Sequence, residues 1–408
     1  MANPMDRTAF RIAIVFGLGV MAAMTVSEAV TELSAIAREF HPDNRSLIGL
    51  VMSLPSLVVA LGALLAGFAV DRIGDRRVLL AGAITAVIGD LCVIASPSLQ
   101  LLLAARLLTG AGYVLIAVAA ITILMRITSG KQRVMALALW STSVPVSFIL
   151  PFLTAGLAAQ FGTWRAAFAA HAGLTAILLL LAIFSLPKTE SLSLQTSRTS
   201  GLSAVLRTPW PYLLGLSFAA NAFLLTGTIA TLGPYLAGRY GVSELEVQRW
   251  NVLAMIANMV GCLLVGRLLN TGVPAHIIGL CGIVLSSGAA GLIFGAQIGT
   301  AGSIVASCMF TFGCGLLVGM WALVPRCAPS PSSMGATSGL VTQLTLIGVL
   351  LGAPLAFAAQ SAPTSTPMLT LIVLGTLVCL AAGGPIWLRN QGAQPAGLPG
   401  ASSPLGVK

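Results

Sequence analysis

Charge is what this chain lacks most: 8% of its 408 residues are Asp, Glu, Lys or Arg, where a soluble domain carries about 25%. Acid is the scarcer sign, with 11 Asp and Glu against 21 Lys and Arg. Past Pro209 the only carboxylates are Glu244 and Glu246. So few charges cannot clothe a water-facing surface, and a mean hydropathy of +0.97 excludes both an ordinary soluble domain and a disordered chain. The three histidines, His41, His171 and His276, show no metal-ligand spacing. The seven cysteines (Cys92, Cys262, Cys281, Cys308, Cys314, Cys327 and Cys379) are odd in number, scattered and without a C-x-x-C pair. That pattern argues against a disulfide framework and a zinc site, and the cysteines read as small apolar fillers in helices. No phosphate-binding loop or nucleophile elbow occurs, so the expectation is of no enzymatic activity, no metal and no cofactor. A formal charge of +10 would suit nucleic acid if the basic residues gathered in one patch, and they do not.

What the chain has instead is long apolar runs. A spanning helix takes about 20 apolar residues. Runs of that kind lie near residues 11–30, 47–70, 78–95, 99–125, 134–159, 164–186, 210–236, 247–269, 275–294, 298–324, 335–358 and 366–388. They predict an all-α membrane protein with 12 transmembrane helices. The first run is too long for a signal-peptide core and lacks a convincing cleavage site, so it is expected to be retained. Pro55 is expected to kink the second. Residues 187–208, where Ser and Thr recur, are expected to be a cytoplasmic linker between a first bundle (1–186) and a second (209–389). Residues 390–408, rich in Gly, Pro and Ser, are expected to be a disordered tail. With the N-terminus inside, the inner connections hold Arg72, Arg76, Arg77, Arg126, Lys131, Arg133, Lys188, Arg198, Arg207, Arg267, Arg326 and Arg389. The outer ones hold only Arg38, Arg45, Arg165, Arg239 and Arg249. This bias places both termini in the cytoplasm and makes a lipid bilayer, not nucleic acid, the expected partner.

The densest charge in the chain is Gly67-Phe-Ala-Val-Asp71-Arg72-Ile-Gly74-Asp75-Arg76-Arg77, between the second and third runs. So many charges must lie at a membrane face. The stretch resembles the G-x-x-x-D-R-x-G-R-[KR] loop of the major facilitator superfamily of twelve-helix secondary transporters. Gly67, Asp71, Arg72, Gly74 and Arg76 match, while Asp75 stands where the first of two final basic residues is usual. The halves also read as diverged copies. The loop recurs weakly at Gly266 and Asn270, Gly110-Ala-Gly112 returns as Gly313-Cys-Gly315, and Pro151 returns as Pro354, the last two pairs sharing an offset of 203 residues. The resemblance implies two pseudo-symmetric six-helix bundles, alternating access, action as a monomer and a small-molecule substrate. With the charge bias, it implies a bacterial inner membrane.

Two groups of charged residues carry mechanism. Asp71 ends its helix, where the helix dipole opposes it, so it needs a partner among Arg72, Arg76, the Arg126–Arg133 loop or a neighbouring helix N-terminus. The resemblance implies the last, with the eleventh span meeting the second near Ser332–Gly335 and Gly67 allowing close approach. The result would be a charge latch on the cytoplasmic side, with no charged counterpart at Asn270. Arg106 lies deep in the fourth span, and a guanidinium there requires an anion. Arg106-Leu-Leu-Thr-Gly110-Ala-Gly112 resembles the superfamily's R-x-x-x-G-x-G motif, whose arginine is tied to proton transfer. Glu28 and Asp90 both have a suitable depth, with Glu28 on a helix that lines the cavity in this fold. No other ionisable group in the first half reads as equally deep. Coupling to a proton gradient would then reside in Glu28, Arg106 and Asp90.

Cavity candidates are Asn221, Phe223, Thr226 and Thr228 on the seventh span, Asn258 on the eighth and Gln343 on the eleventh, with Phe16, Trp140 and Trp321 as aromatic walls. Direction is ambiguous. The drug–proton antiporter branch carries G-P-x-x-G-G in the fifth span, whereas Leu150-Pro151-Phe-Leu-Thr154-Ala155 keeps the proline alone. Phe161-Gly-Thr-Trp164-Arg165-Ala-Ala-Phe168 resembles that branch's F-G-W-R-x-x-F with one extra residue. The expectation is proton-coupled export of a drug-like compound or a secreted metabolite such as a siderophore. Proton-coupled uptake of a nutrient or organic acid is the alternative, and a scaffold or sensor without flux a remote one.

Overall fold

The computed structural model describes residues 4–29, 32–41, 46–187 and 200–389. Most of the expected linker (188–199) and all of the expected tail (390–408) lie outside the described residues. The α-helices in chain order are α1 (Pro4–Ser27), α2 (Leu33–Phe40), α3 (Ser46–Ile73), α4 (Asp75–Ile94), α5 (Leu99–Ile127), α6 (Gly130–Trp140), α7 (Ser143–Phe161), α8 (Arg165–Ser185) and α9 (Ser200–Arg207). They continue as α10 (Pro209–Tyr240), α11 (Glu244–Asn270), α12 (Ala275–Gly295), α13 (Gly299–Val318), α14 (Val324–Cys327), α15 (Met334–Gln360) and α16 (Thr366–Leu388). Twelve stretches are long and apolar enough to cross a membrane, and no strand occurs among the described residues.

The fifth span, read from sequence as one helix, is broken at Ser141 and Thr142 between α6 and α7. Pro145 has no N–H to return to the Ser141 carbonyl, which instead accepts the Cys262 thiol of α11 at 3.7 Å. The Ser141 hydroxyl bonds its own Leu137 carbonyl and that of Val318 across the halves, at 3.0 and 3.1 Å. Such back-bonding bends helices.

Large apolar side chains such as Leu61, Leu65 and Phe184 face outward. Lipid tails are as apolar as leucine, so helices associate here by close packing rather than by escape from water. Gly112 lies against the Ala86 backbone of α4, and Gly313 against the Ser286 backbone of α12. Gly110 faces Pro55 of α3, whereas Gly315 faces Asn258 of α11. The contacts therefore pair Gly112 with Gly313 and Gly110 with Gly315, correcting the constant offset read from sequence. A glycine's packing role depends on which neighbour comes nearest, not on its rank in a motif.

The halves meet along two seams, α3 with α15 and α6–α7 with α11. At the end where Asp71, Arg126 and Arg267 lie, here termed the basic end, Leu124, Met125, Met320, Trp321 and Leu323 belong to one apolar cluster spanning both halves. Away from it the core divides, with α2, α3, α5 and α8 contributing to one cluster and α10, α13, α15 and α16 to another.

Asp75, the departure from the family loop, opens α4 and is 3% exposed. Arg126 at the end of α5 grips its two carboxylate oxygens at 2.7 and 3.1 Å. The negative charge sits at a helix N-terminus, where the dipole favours it. Arg126 is 33% exposed, so solvent screening holds the coupling to about 1 kcal/mol. Asp75→Ala and Arg126→Ala should each lower the melting temperature in detergent, with the double variant losing less than their sum. The exchanged pair Asp75→Arg with Arg126→Asp should recover only part, because it places a cation at that N-terminus.

Candidate functional site

A fully enclosed cluster of charged side chains ties together α1, α3, α4, α5 and α8. Arg106 of α5 is 0% exposed and Glu28, just past α1, is 1% exposed. The Arg106 Nη1 donates to Glu28 Oε1 at 2.9 Å, Nε donates to the Val51 carbonyl of α3 at 2.8 Å, and Nη2 donates to the Thr25 carbonyl of α1. Asp90 of α4 does not reach for the arginine. Its Oδ2 lies 2.7 Å from His171 Nδ1 of α8, and the same Nδ1 lies 3.2 Å from Glu28 Oε2. The other ring nitrogen, Nε2, is 2.8 Å from the Met21 carbonyl.

Of the two carboxylates left open as partners of Arg106, Glu28 takes that place and Asp90 pairs with His171. The expectation that no other ionisable group of the first half lies as deep is corrected by His171, 1% exposed, which makes the trio a quartet. Metal-ligand spacing was the wrong question for His171. The available signal was an ionisable side chain well inside an apolar span, which is uncommon without a purpose.

Two prolines help to shape the site. Pro55 cannot donate to the carbonyl four residues earlier, and that carbonyl is Val51, the acceptor of Arg106 Nε. Pro151 likewise leaves the Ser147 carbonyl free, and the hydroxyl of Ser27, next to Glu28, donates to it at 2.6 Å. Glu28, Asp90 and His171 offer donor atoms within 4.8 Å of one another, but a metal ion would stand beside the Arg106 guanidinium and be repelled. They are not assigned as ligands.

The quartet is covered on the side away from the basic end. The Phe168 ring lies 5.5 Å from the Arg106 guanidinium carbon and meets Trp164 edge-on at 5.7 Å. The Trp164 indole N–H and the Arg165 guanidinium both donate to Glu39 of α2, at 2.6 to 2.8 Å. Arg165 also ties the turn between α4 and α5 through the Ile94 and Ser96 carbonyls. Those bonds from Arg165 hold the Glu39 carboxyl below the usual carboxylate range. The strap therefore survives mild acid and loosens only as pH falls through that lowered value.

The family-like loop forms a second site. Gly335 N and Ala336 N, in the first turn of α15, donate to Asp71 Oδ1 and Oδ2 at 2.7 and 2.8 Å. The carboxylate thus caps a helix N-terminus belonging to the other half. Gly67 lies so close that an added Cβ would strike the Gly335 carbonyl and Ala336 Cα. Gly74, at φ 96°, makes the left-handed turn into α4 that other residues resist. Arg76 donates to the Ile183 carbonyl at 2.7 Å, and Arg72 is exposed. At the second seam Asn270 donates to the Lys131 carbonyl at 3.0 Å, an uncharged counterpart.

The cavity candidates do not meet in one place. Thr226 bonds carbonyls of its own helix and that of Val349 on α15. Phe223 and Thr228 line a crevice between α10, α15 and α16 of about 10 Å³, room for one water at most. Asn258 donates to Thr311 at 2.8 Å, and Gln343 accepts from Leu64 N across the α3–α15 seam at 3.2 Å. Phe16 packs against the cluster of Val20, Met21 and Met24, and Trp140 lies against Gly19. The Trp321 ring is 5.1 Å from Phe218. Asn221 donates to Cys314 at 3.3 Å, yet its buried Oδ1 has no partner among the described residues. Their spacing along the helices points them at different neighbours, which a span-by-span reading does not resolve.

The profile of the Major Facilitator Superfamily matches residues 12–353. The chain belongs to that superfamily. Its members and structural neighbours are transporters rather than enzymes. Among known superfamily relatives, the lincomycin resistance protein of Streptomyces lincolnensis is 30% identical over 198 residues, 48% of this chain and 40% of that protein. The arabinose-proton symporter of Escherichia coli (strain K12) is 29% identical over 157 residues, 38% of this chain and 33% of the symporter. The matched stretches thus cover less than half of either relative. The proton:xylose symporter XylE superposes with a TM-score of 0.79 at 12% identity, over 94% of this chain and 97% of that one. The human organic anion transporter MFSD10 superposes with a TM-score of 0.76 at 17% identity, over 93% and 100%. At such identities these likenesses establish the superfamily fold alone.

Proposed function

We propose that this protein exports a small organic compound from a bacterial cell across the plasma membrane in exchange for protons, as a monomer with the basic end in the cytoplasm. The observation that carries the reading is the Glu28–Arg106 pair, fully enclosed between α1 and α5. An acid in that setting is stabilised as an anion by the guanidinium and as a neutral acid by burial. A rearrangement that separates the two therefore changes how tightly the enclosed site holds a proton, which is bound on one side and released on the other. The seam built by Asp71 on α15 holds the basic end shut in one state and opens when the halves rock. Export is favoured because the stretch Phe161–Phe168, which resembles the antiporter branch, supplies Trp164 and Phe168, the cover over the pair. Two relatives are named for drug resistance or multidrug efflux.

Uptake of a sugar or organic acid is the second reading. It is favoured by the arabinose-proton relative and by the absent fifth-span glycines. Lincomycin accumulation in everted membrane vesicles and arabinose uptake in whole cells separate the two. Export predicts accumulation in vesicles acidified inside, abolished by a protonophore. Arabinose uptake without lincomycin accumulation would reverse the direction, and no gradient-dependent flux of either, or of a panel of organic cations, would remove proton coupling.

A further inference from the structure

The hydrogen bonds around His171 count the protons at the site. Nε2 faces the Met21 carbonyl at 2.8 Å, and a carbonyl only accepts, so Nε2 carries a hydrogen. The neutral ring would then turn the bare lone pair of Nδ1 toward two carboxylate oxygens, Asp90 Oδ2 at 2.7 Å and Glu28 Oε2 at 3.2 Å. Three acceptors at that spacing repel one another unless one proton lies among them. The charges agree. Arg106 offsets one of the two carboxylates, and without a further proton the enclosure holds an uncompensated negative charge, which is costly. With one proton it is neutral.

We propose that the exchangeable proton rests on His171 Nδ1, shared with Asp90 and in reach of Glu28, so that His171 is the proton carrier and Asp90 its positioning partner. This deepens the proton-coupled reading and rests on it for the link to transport. The groups facing the ring are Asp90 from α4, Glu28 from α1 and, through Glu28, Arg106 from α5. The helix α7, which also packs on α8, has no titratable residue. Arg165, on α8 with His171, is engaged by Glu39. On release the Nδ1–H bond breaks, the proton passes to water as the Phe168 side opens, and a neutral Nε2–H ring stays on Met21. Binding is the reverse.

The chain has three histidines, so 15N-histidine NMR of the whole protein in lipid nanodiscs isolates this ring, assigned by its loss in His171→Gln. That variant keeps a donor for Met21. At pH 7.5 the expected result is a ring protonated at both nitrogens. The Glu28→Gln/Asp90→Asn double variant should lose the Nδ1 proton at the same pH, because a cation would then lie beside Arg106 with no anion. A ring whose charge did not depend on the two carboxylates would keep its state in that variant. A bare Nδ1 in the unmodified protein, or a ring still doubly protonated in the double variant, overturns the assignment. The measurement needs no substrate. Doubly protonated His171 in a protein whose vesicles show no coupling would sink the transport reading alone. A bare Nδ1 beside intact coupling would sink the proton position alone.

Discussion

Arg106→Ala should abolish gradient-driven transport and should be among the most destabilising single substitutions in the chain. The side chain is fully enclosed and donates to Val51, Glu28 and Thr25 on two other helices and the segment joining them. Its removal frees two carbonyls and strands the Glu28 carboxylate away from water. Breaking a buried pair in this way costs about 3–5 kcal/mol. Glu28→Gln keeps the shape and an acceptor for Nη1, so it should fold better than Arg106→Ala and fail only in coupling. Combining the two should recover part of the stability lost in Arg106→Ala, since no anion is then stranded. Melting temperatures in detergent and flux in everted vesicles read both effects. Gradient-driven flux intact in both single variants would remove the pair from the mechanism.

Gly67→Val should fold as two bundles and fail to close the basic end. The new Cβ would overlap the Gly335 carbonyl and Ala336 Cα, backbone atoms of a helix that cannot turn aside as a side chain does. Overpacking costs about 1–3 kcal/mol, and 1.4 kcal/mol is tenfold in an equilibrium. The closed-to-open ratio should therefore fall about tenfold. Cysteines at positions 131 and 270, whose residues touch in the closed seam, would report it in a protein with exposed Cys92 and Cys281 replaced. Cross-linking should be efficient with Gly67 and weaker with valine, the yield following the closed fraction that remains. Equal yields would mean that the α3–α15 contact does not hold the end shut. Asp71→Asn, which keeps the shape but removes the charge from the α15 N-terminus, should lose less, because glycine-to-glycine packing remains.

The sequence by itself determined that the chain is a twelve-helix membrane protein, because runs of about 20 apolar residues leave hydrocarbon as the solvent that suits them, while its likeness to the superfamily rested on the Gly67–Arg77 and Arg106–Gly112 motifs. It also singled out Arg106, since a guanidinium deep in a span demands an anion wherever the helices go, and Asp71, since a carboxylate at a helix C-terminus demands a partner. It left open which partner each would find. Only the tertiary structure decided that Asp71 caps α15, that Glu28 holds Arg106 and that Asp90 turns to His171. Each of these bonds joins residues more than 70 positions apart, and their pairing depends on helix rotation, which an apolar run does not specify. The same rotation set Phe223, Thr226 and Asn258 against neighbouring helices rather than around one cavity. The carbonyls of Val51 and Ser147 became part of the site for a reason written locally, a proline four residues on. Their use depended on Arg106 and Ser27 arriving from other helices, and side-chain directions across a bundle are settled by packing.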